Sequence, residues 1–367
     1  MAISLDTRLT RLLGCRYPII QTAMGWVADP KLVAATGNAG GFGFLAGATI
    51  EPQHMEAAIL ETRRLTDQPF GVNFHMYQAN AGEIVELVLK HGVRAVSYSR
   101  SPGKAMVARL KDAGVVCMPT VGALKHAVKA VEMGADAVTV QGGEGGGHTG
   151  SVPTSILLGQ VVEAVDVPVV AAGGFKDGRG LLAALALGAD GIAMGTRFLM
   201  SADSPVPPAT LERYLKVRDP AAIIVSRAID GMPQRMIRNE LLDSLERSGG
   251  LKRLLLALRS ALAYRRHSGA SIGQLLGSAL KLGGTDGLTA AQTLMAANAP
   301  MVIQKAMVDG LPAEGVLPAG QVAAAIDSLP GCAELIESIV QQAEQRLAEL
   351  CRLAGNEKKR TIEGGAG

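Results

Sequence analysis

From residue 18 to about residue 200, short apolar runs alternate with longer stretches in which apolar positions recur every three or four residues. The runs are PIIQTA (18–23), GFGFLA (41–46), FGVNF (70–74), RAVSYS (94–99), VVCMP (115–119), AVTVQ (137–141), VPVVAAG (167–173) and GIAMG (191–195). Several are apolar throughout, as strands covered on both faces are. Between them, PKLVAATGNAG (30–40), EPQHMEAAILETRRL (51–65), NAGEIVELVLKHG (80–92), KHAVKAVEMGA (125–135) and GRGLLAALALGA (178–189) read as helices. Many end in Gly, a common helix C-terminus. Eight strands, each followed by a helix, predict an α/β fold of the (β/α)8 TIM-barrel class. An open doubly wound sheet is the alternative, because counting strands does not show closure. A barrel places its chemistry in the loops that follow the strands.

After residue 200 the alternation stops and helical patterns dominate, in LERYLKV, RNELLDSLERS, LKRLLLALRSALAYRR and CAELIESIVQQAEQRLAELCRLA. The expected organisation is a barrel formed by residues 1–202 with 315–355, a helical insertion or lid over 203–314, and a flexible polar tail over 356–367. Residues 201–270 carry 12 Lys/Arg against 7 Asp/Glu, an excess larger than the +3 of the whole chain.

Composition narrows the classes. The 367 residues are 48% hydrophobic and 19% charged, enough apolar material for a large core. Aromatic residues make up only 3%, which argues against a stacking platform for single-stranded nucleic acid, and +3 is far from a polybasic footprint. Cys15, Cys117, Cys332 and Cys351 form no CxxC pair, so neither structural zinc nor a disulfide framework is expected. The N-terminal MAISLDTRLT has no apolar h-region, and no apolar run is long enough for a membrane span. The expectation is a soluble, reduced, cytoplasmic protein that binds neither nucleic acid nor membrane, with homo-oligomerisation left open.

Candidate chemistry concentrates in four places. QGGEGGGHTG (141–150) directly follows an expected strand, and its glycines, Gly146 and Gly147 among them, let backbone lie against a planar ligand. His148 ends that run, where a barrel loop can present a base or acid near neutral pH. VVAAGGFKDGRGLLAALALGADGIAMGTRF (169–198) has two strand-end turns, Gly173–Gly174 and Gly195–Thr196, whose N–H groups suit a phosphate. Ala23 and Met24 offer backbone to a ring system, and the Asn73 amide offers both a donor and an acceptor. No GxxxxGK[ST] loop, dinucleotide fingerprint, HExxH or His/Cys/Asp cluster is present, so P-loop chemistry and a metal are not expected. His54, His75, His91, His126 and His267 are scattered, with His75, just past Asn73, the one best placed to be functional.

QTAMGW, GVNF, QGGEGGGHTG, AAGGFKDGRGLLAALALGADGIAMGTRF and AGQ (319–321) resemble the nitronate monooxygenase family, formerly called 2-nitropropane dioxygenases. The resemblance implies an FMN-bound TIM barrel. It implies FMN contacts at Ala23, Met24, Asn73, Gln141, Gly173, Gly174, Gly195, Thr196 and Gln321, with His148 catalytic. The glycine-rich loop ending in His is also similar to that of FMN-dependent enoyl-acyl-carrier-protein reductases. A narrower resemblance, carried by RAIDGMPQRMIRNELLDSLE, LMAANAPMVIQKAMVDG and LPGCAELIESIV, is to flavin oxidoreductases of bacterial steroid degradation that act on CoA thioesters of the C/D-ring fragment. It implies an acyl-CoA substrate, with Arg227, Arg235 and Arg238 as candidates for its phosphates. The implied reaction is α,β-dehydrogenation with His148 as base. The alternatives are oxidation of alkyl nitronates with O2, an NADH-dependent enoyl or quinone reductase, and a non-catalytic flavin- or phosphate-binding protein. Thr120 departs from the Lys that NADH-using relatives carry at this fifth-strand position, which counts against direct use of NADH.

Overall fold

The structure is a computed structural model that describes residues 5–76, 80–99, 102–247 and 290–363. The helix expected from LKRLLLALRSALAYRR lies outside the described residues. Two compact units are present, one spanning Met1–Gly143, Val152–Ser204 and Leu329–Gly367, the other Glu144–Ser151 and Pro205–Ser328. No helix among the described residues is long and apolar enough to cross a membrane.

The first unit opens with helix α1 (Arg8–Leu13) and alternates strands and helices thereafter: β1 (Ile19–Gln21), α2 (Pro30–Asn38), β2 (Phe42–Leu45), α3 (Pro52–Leu65), β3 (Gly71–His75), α4 (Ala81–Lys90), β4 (Ala95–Ser99) and α5 (Lys104–Asp112). Then come β5 (Val116–Cys117), β6 (Thr120–Val121), α6 (Leu124–Glu132) and β7 (Val138–Gln141). After β7 the chain contributes β8 (Gly147–His148) to the second unit. It continues with α7 (Thr154–Ala164), β9 (Val169–Ala172), α8 (Gly178–Ala186), β10 (Gly191–Met194) and α9 (Thr196–Leu199). All pairings in the large sheet are parallel, in the order β5-β4-β3-β2-β1-β10-β9-β7-β6.

The two ends of that order are halves of one segment. β5 and β6 are separated by Met118–Pro119, where proline supplies no N–H to a ladder. Met118 N donates to Val96 O (2.9 Å) on one side, and Pro119 O accepts from Thr139 N (2.9 Å) on the other. The sheet therefore closes into a (β/α)8 barrel, and the open doubly wound alternative is excluded.

Strand alternation sorts the core into two layers. Ile20, Phe42, Phe44, Ala95, Val116, Val170 and Ala193 cluster inside the barrel with Leu9 and Leu13 of α1. Val72, Phe74, Val96 and Cys117 face outward onto Met55, Ile59, Ile84, Val88, Val107 and Leu110 of the surrounding helices. Arg8 ties α1 in place with a bidentate pair to the buried Asp190 carboxylate (Nε 2.9 Å, Nη2 2.7 Å).

The second unit comprises α10 (Pro208–Leu215), β11 (Ile223–Ser226), β12 (Gln234–Ile237), α11 (Glu240–Arg247) and α12 (Ala290–Met307). Strands β11, β12 and β8 form an antiparallel sheet in that order, with β11 and β12 in a region where helical patterns dominate the sequence. Leu317 O and Pro318 run beside β12 on the β8 side, accepting from Ile237 N and bridging to Met236. Tyr214, fully buried, donates its hydroxyl to Pro318 O at 2.8 Å.

Helix α13 (Cys332–Glu363) returns the chain to the first unit, where it packs on α8 and α2. The approach to α8 is close: a Cβ on Gly178 would lie 2.3 Å from Ile339 O and 2.4 Å from Ala343 N. Gly178→Ala is therefore expected to lower the urea midpoint, by an amount equivalent to about 1–3 kcal/mol. Gly159→Ala, in α7, is the control, because a Cβ there meets nothing within 4 Å. It is expected to be stabilising by about 0.5–1 kcal/mol, the helical cost of glycine relative to alanine. Equal midpoints for the two variants would contradict this packing of α13.

Candidate active site

In the first unit the residues singled out by the sequence lie at the C-terminal ends of the strands. Ala23 and Met24 follow β1, Asn73 lies on β3, Gln141 ends β7, Gly173–Gly174 follow β9, and Gly195–Thr196 follow β10. β9, β10 and β1 are neighbours in the sheet, so three of these turns are adjacent. Met24 Sδ stands 3.4 Å from where a Cβ on Gly195 would be. Gly173 and Gly174 adopt φ of 102° and 86°, a left-handed backbone that favours glycine. Among the described residues, no group accepts from the N–H of Gly173, Gly174 or Gly195. Such open donors at adjacent strand ends suit a phosphoryl group.

Asn73 is oriented by its cross-strand partner. Its Nδ2 donates to Ser97 O (3.1 Å) and Ser97 Oγ (3.0 Å). A carbonyl can only accept, so the amide nitrogen must face Ser97, and Oδ1 is turned away as an acceptor. The site thus offers N–H donors for an anion and an acceptor for a ring N–H. His75, two residues on, pairs with Ser99 Oγ through Nδ1 (2.7 Å), and Thr120 is exposed at the start of β6.

In the second unit the glycine loop and the AGQ segment come together. Gln321 N donates to Glu144 O (3.0 Å), and Gly146 lies directly against the backbone of Ala319 and Gly320. Gln321 itself is exposed. Gly147 and His148 form β8, with His148 opposite Gln234 and Gly147 opposite Arg235. Residues paired across antiparallel strands share a face, so His148 and Gln234 point the same way. Met236, two residues from Gln234, packs on that face into a cluster with Ala228, Ile229, Leu242 and Val316.

The β11–β12 connection, RAIDGMP, adds a residue that the sequence reading missed. Ala228 and Ile229 are buried in the cluster and carry Asp230 inward. Asp230 Oδ1 accepts from Met232 N (2.9 Å) across the Asp230–Gly231 turn. Oδ2 lies 2.7 Å from His148 Nε2 and accepts from Gln234 Nε2. The side chain of Asp230 is 6% exposed and that of His148 is 53% exposed. Burial pushes the Asp230 carboxyl up. The His148 hydrogen bond and charge, with the Met232 N–H and the Gln234 amide, outweigh it and hold the carboxyl below the usual carboxylate range. Asp-Gly within this connection is a local signal for a turn. The pairing itself joins residues 82 apart, which no local pattern reports.

The three candidate arginines all lie on or beside this hairpin. Arg227 is exposed with no described acceptor for its guanidinium. Arg235 is half-buried on β12, and burial lowers its pKa while the Glu144 charge opposes that. Arg238 is committed to Asp243 (2.6 Å). Of the 12 basic residues counted over 201–270, Lys252, Arg253, Arg259, Arg265 and Arg266 lie outside the described residues. The seven that remain face an equal number of acids, and Arg213, Lys216, Arg238 and Arg247 are in ion pairs.

The lowered Asp230 pKa fixes a pH dependence. The folded state binds this proton less readily than the unfolded state. The resulting stability is complete above the ordinary carboxylate pKa and is lost as pH falls through the lowered folded value. Asp230→Asn is expected to be less stable than wild type at pH 7 by about 1–3 kcal/mol, the cost of breaking a buried charged hydrogen-bond set. The gap should narrow below pH about 4. Chemical denaturation at a series of pH values checks this, and a gap independent of pH would contradict it.

The nitronate monooxygenase family model matches residues 6–86 and 80–342. The chain is 48% identical over 347 residues to a Rhodococcus jostii (strain RHA1) protein named (3aS,4S,5R,7aS)-5-hydroxy-7a-methyl-1-oxo-octahydro-1H-indene-4-carboxyl-CoA dehydrogenase, covering 95% of this chain and 98% of that one. It is 49% identical over 342 residues to a protein of the same name from Mycobacterium tuberculosis (strain ATCC 25618 / H37Rv), covering 92% and 96%. Among solved structures, FabK from Thermotoga maritima superposes with a TM-score of 0.76 at 30% identity, covering 95% of this chain and 99% of that one. A family match across nearly the whole barrel and the second unit, with relatives at almost half identity, establishes that the chain belongs to the nitronate monooxygenase family of oxidoreductases.

Proposed function

We propose that the protein is an FMN-dependent dehydrogenase that introduces an α,β double bond into a CoA thioester. The substrate belongs to the hydroxy-oxo-indane-carboxyl-CoA class named for the two relatives and left by steroid ring degradation. The observation that carries this reading is near full-length identity to two dehydrogenases of one such thioester. The His148–Asp230 pair supports the chemistry, because a base is what the reaction asks of the protein.

FMN, when bound, supplies the hydride acceptor. Gly173, Gly174, Gly195 and Thr196 would hold its phosphate through backbone N–H groups. Ala23, Met24, Asn73 and Gln141 would hold the remainder. His148 takes the proton from the carbon α to the thioester carbonyl, and the C–H electron pair enters the enolate. N–H groups of the glycine loop stabilise the enolate oxygen. Hydride then leaves the β carbon, and the enolate pair closes the double bond. Arg227 and Arg235 receive CoA phosphate, whereas Arg238 is held by Asp243. The compartment is the cytoplasm, a reading supported by four free cysteines.

His148→Ala is expected to lose about 10²–10⁴ in turnover of the thioester, as for removal of a general base. Flavin content and acyl-CoA binding should stay near wild type. Mass spectrometry of the product should show the loss of two hydrogens. Turnover retained in His148→Ala would overturn this role, and binding without any wild-type turnover would leave a flavin-binding protein. The family match favours a second reading, oxidation of alkyl nitronates with O2. Fast aerobic turnover of a nitronate with none of the thioester would select it.

A further inference from the structure

Three other features of the molecule carry less. A cavity of about 570 Å³ is lined by Arg63, Asp67, Phe70 and Arg94, but its arginines already donate to the carbonyls of His91, Gly92 and Leu12. The exposed Leu350 and Leu353 of α13 have nothing beside them to indicate an occupant. Trp26 holds a left-handed φ of 60° fixed by Thr49, within the β1 turn already described. The cluster around Asp230 carries more.

We infer that Asp230, secured by Gln234 and the Met232 N–H, is a positioning residue that fixes the tautomer and orientation of His148. The inference rests on the proposed role of His148 as the base. Three features converge. Oδ2 lies 2.7 Å from His148 Nε2. Gln234 Nε2, 3.1 Å from His148 Nε2, already donates to the same Oδ2, and an ionised carboxylate has only lone pairs to offer, so Nε2 carries the proton and both nitrogens donate to Oδ2. The proton-accepting lone pair of the imidazole is therefore on Nδ1.

Second, the carboxylate is itself immobilised. Met232 N holds Oδ1 at 2.9 Å, Gln234 Nε2 donates to Oδ2, and Gln234 is 3% exposed and paired in register with His148. Third, the exposure contrast is that of an anchor and a presented group: 6% for Asp230 against 53% for His148. As His148 takes up a proton it becomes a cation, and the adjacent anion stabilises that charge without accepting the proton.

The test uses the flavin-loaded enzyme and the hydroxy-oxo-indane-carboxyl-CoA thioester. Asp230→Asn is expected to lower kcat on the order of 10²-fold or more, with KM changed by less than about threefold, as when the orienting member of a base pair is lost. ¹⁵N NMR of histidine-labelled protein at neutral pH should show His148 protonated at Nε2 in the wild type and a mixed tautomer in Asp230→Asn. Gln234→Ala should give an intermediate loss in kcat. Flavin content and the unfolding midpoint establish that each variant is folded. If His148→Ala abolishes turnover while Asp230→Asn keeps wild-type kcat and an Nε2–H imidazole, the positioning role is overturned and the base assignment stands. If His148→Ala keeps turnover, the base assignment fails first. A wild-type imidazole protonated at Nδ1 would also overturn the inference.

Discussion

A buried carboxylate must be fully satisfied or it destabilises the fold that holds it, and Asp230 meets that demand with three donors. One of them is the imidazole of His148. The same hydrogen bond that makes burial of Asp230 tolerable therefore holds the side chain we propose as the base. Ala228 and Ile229 drive the turn into the apolar cluster, β12 supplies Gln234 in register, and β8 supplies His148. Each part is a local folding solution, and together they leave a half-exposed imidazole backed by an anion.

The barrel imposes a constraint of its own. Parallel strands satisfy their N–H groups along the ladder, but the ladder stops at the strand ends. At β9 and β10 it stops at glycines, leaving N–H groups of Gly173, Gly174 and Gly195 without described acceptors. Ser97 meanwhile takes both donors of the Asn73 amide and turns its oxygen outward. Closure through Val116–Val121 makes these ends a ring rather than an open edge. Backbone donors open at two adjacent strand ends are a resource for anion binding that single side chains do not supply as cheaply in conformational entropy.

Much of this architecture was legible along the chain. All eight barrel strands lie where the apolar runs are, and α2, α3, α4, α6 and α8 coincide with the helical patterns between them. That legibility is physical, because parallel strands buried on both faces must be apolar throughout. The fifth apolar run ends at Pro119, where the strand breaks before resuming at Thr120–Val121. The sheet of the second unit was hidden for a different reason. β8 is two residues long and has no alternation to read, while β11 and β12 are short runs among helical patterns. His148 was legible from its loop. Its partner was not, since nothing in a window around residue 148 refers to residue 230. The basic excess that suggested phosphate recognition is offset by acids among the described residues.

The central claim is that the electrons removed by this protein come from a CoA thioester. It is tested most directly by anaerobic titration of the flavin-loaded protein, following flavin absorbance. Stoichiometric bleaching by the hydroxy-oxo-indane-carboxyl-CoA thioester, with no bleaching by NADH or an alkyl nitronate, is the predicted result. Bleaching by the nitronate while the thioester leaves the oxidised spectrum untouched would contradict the account.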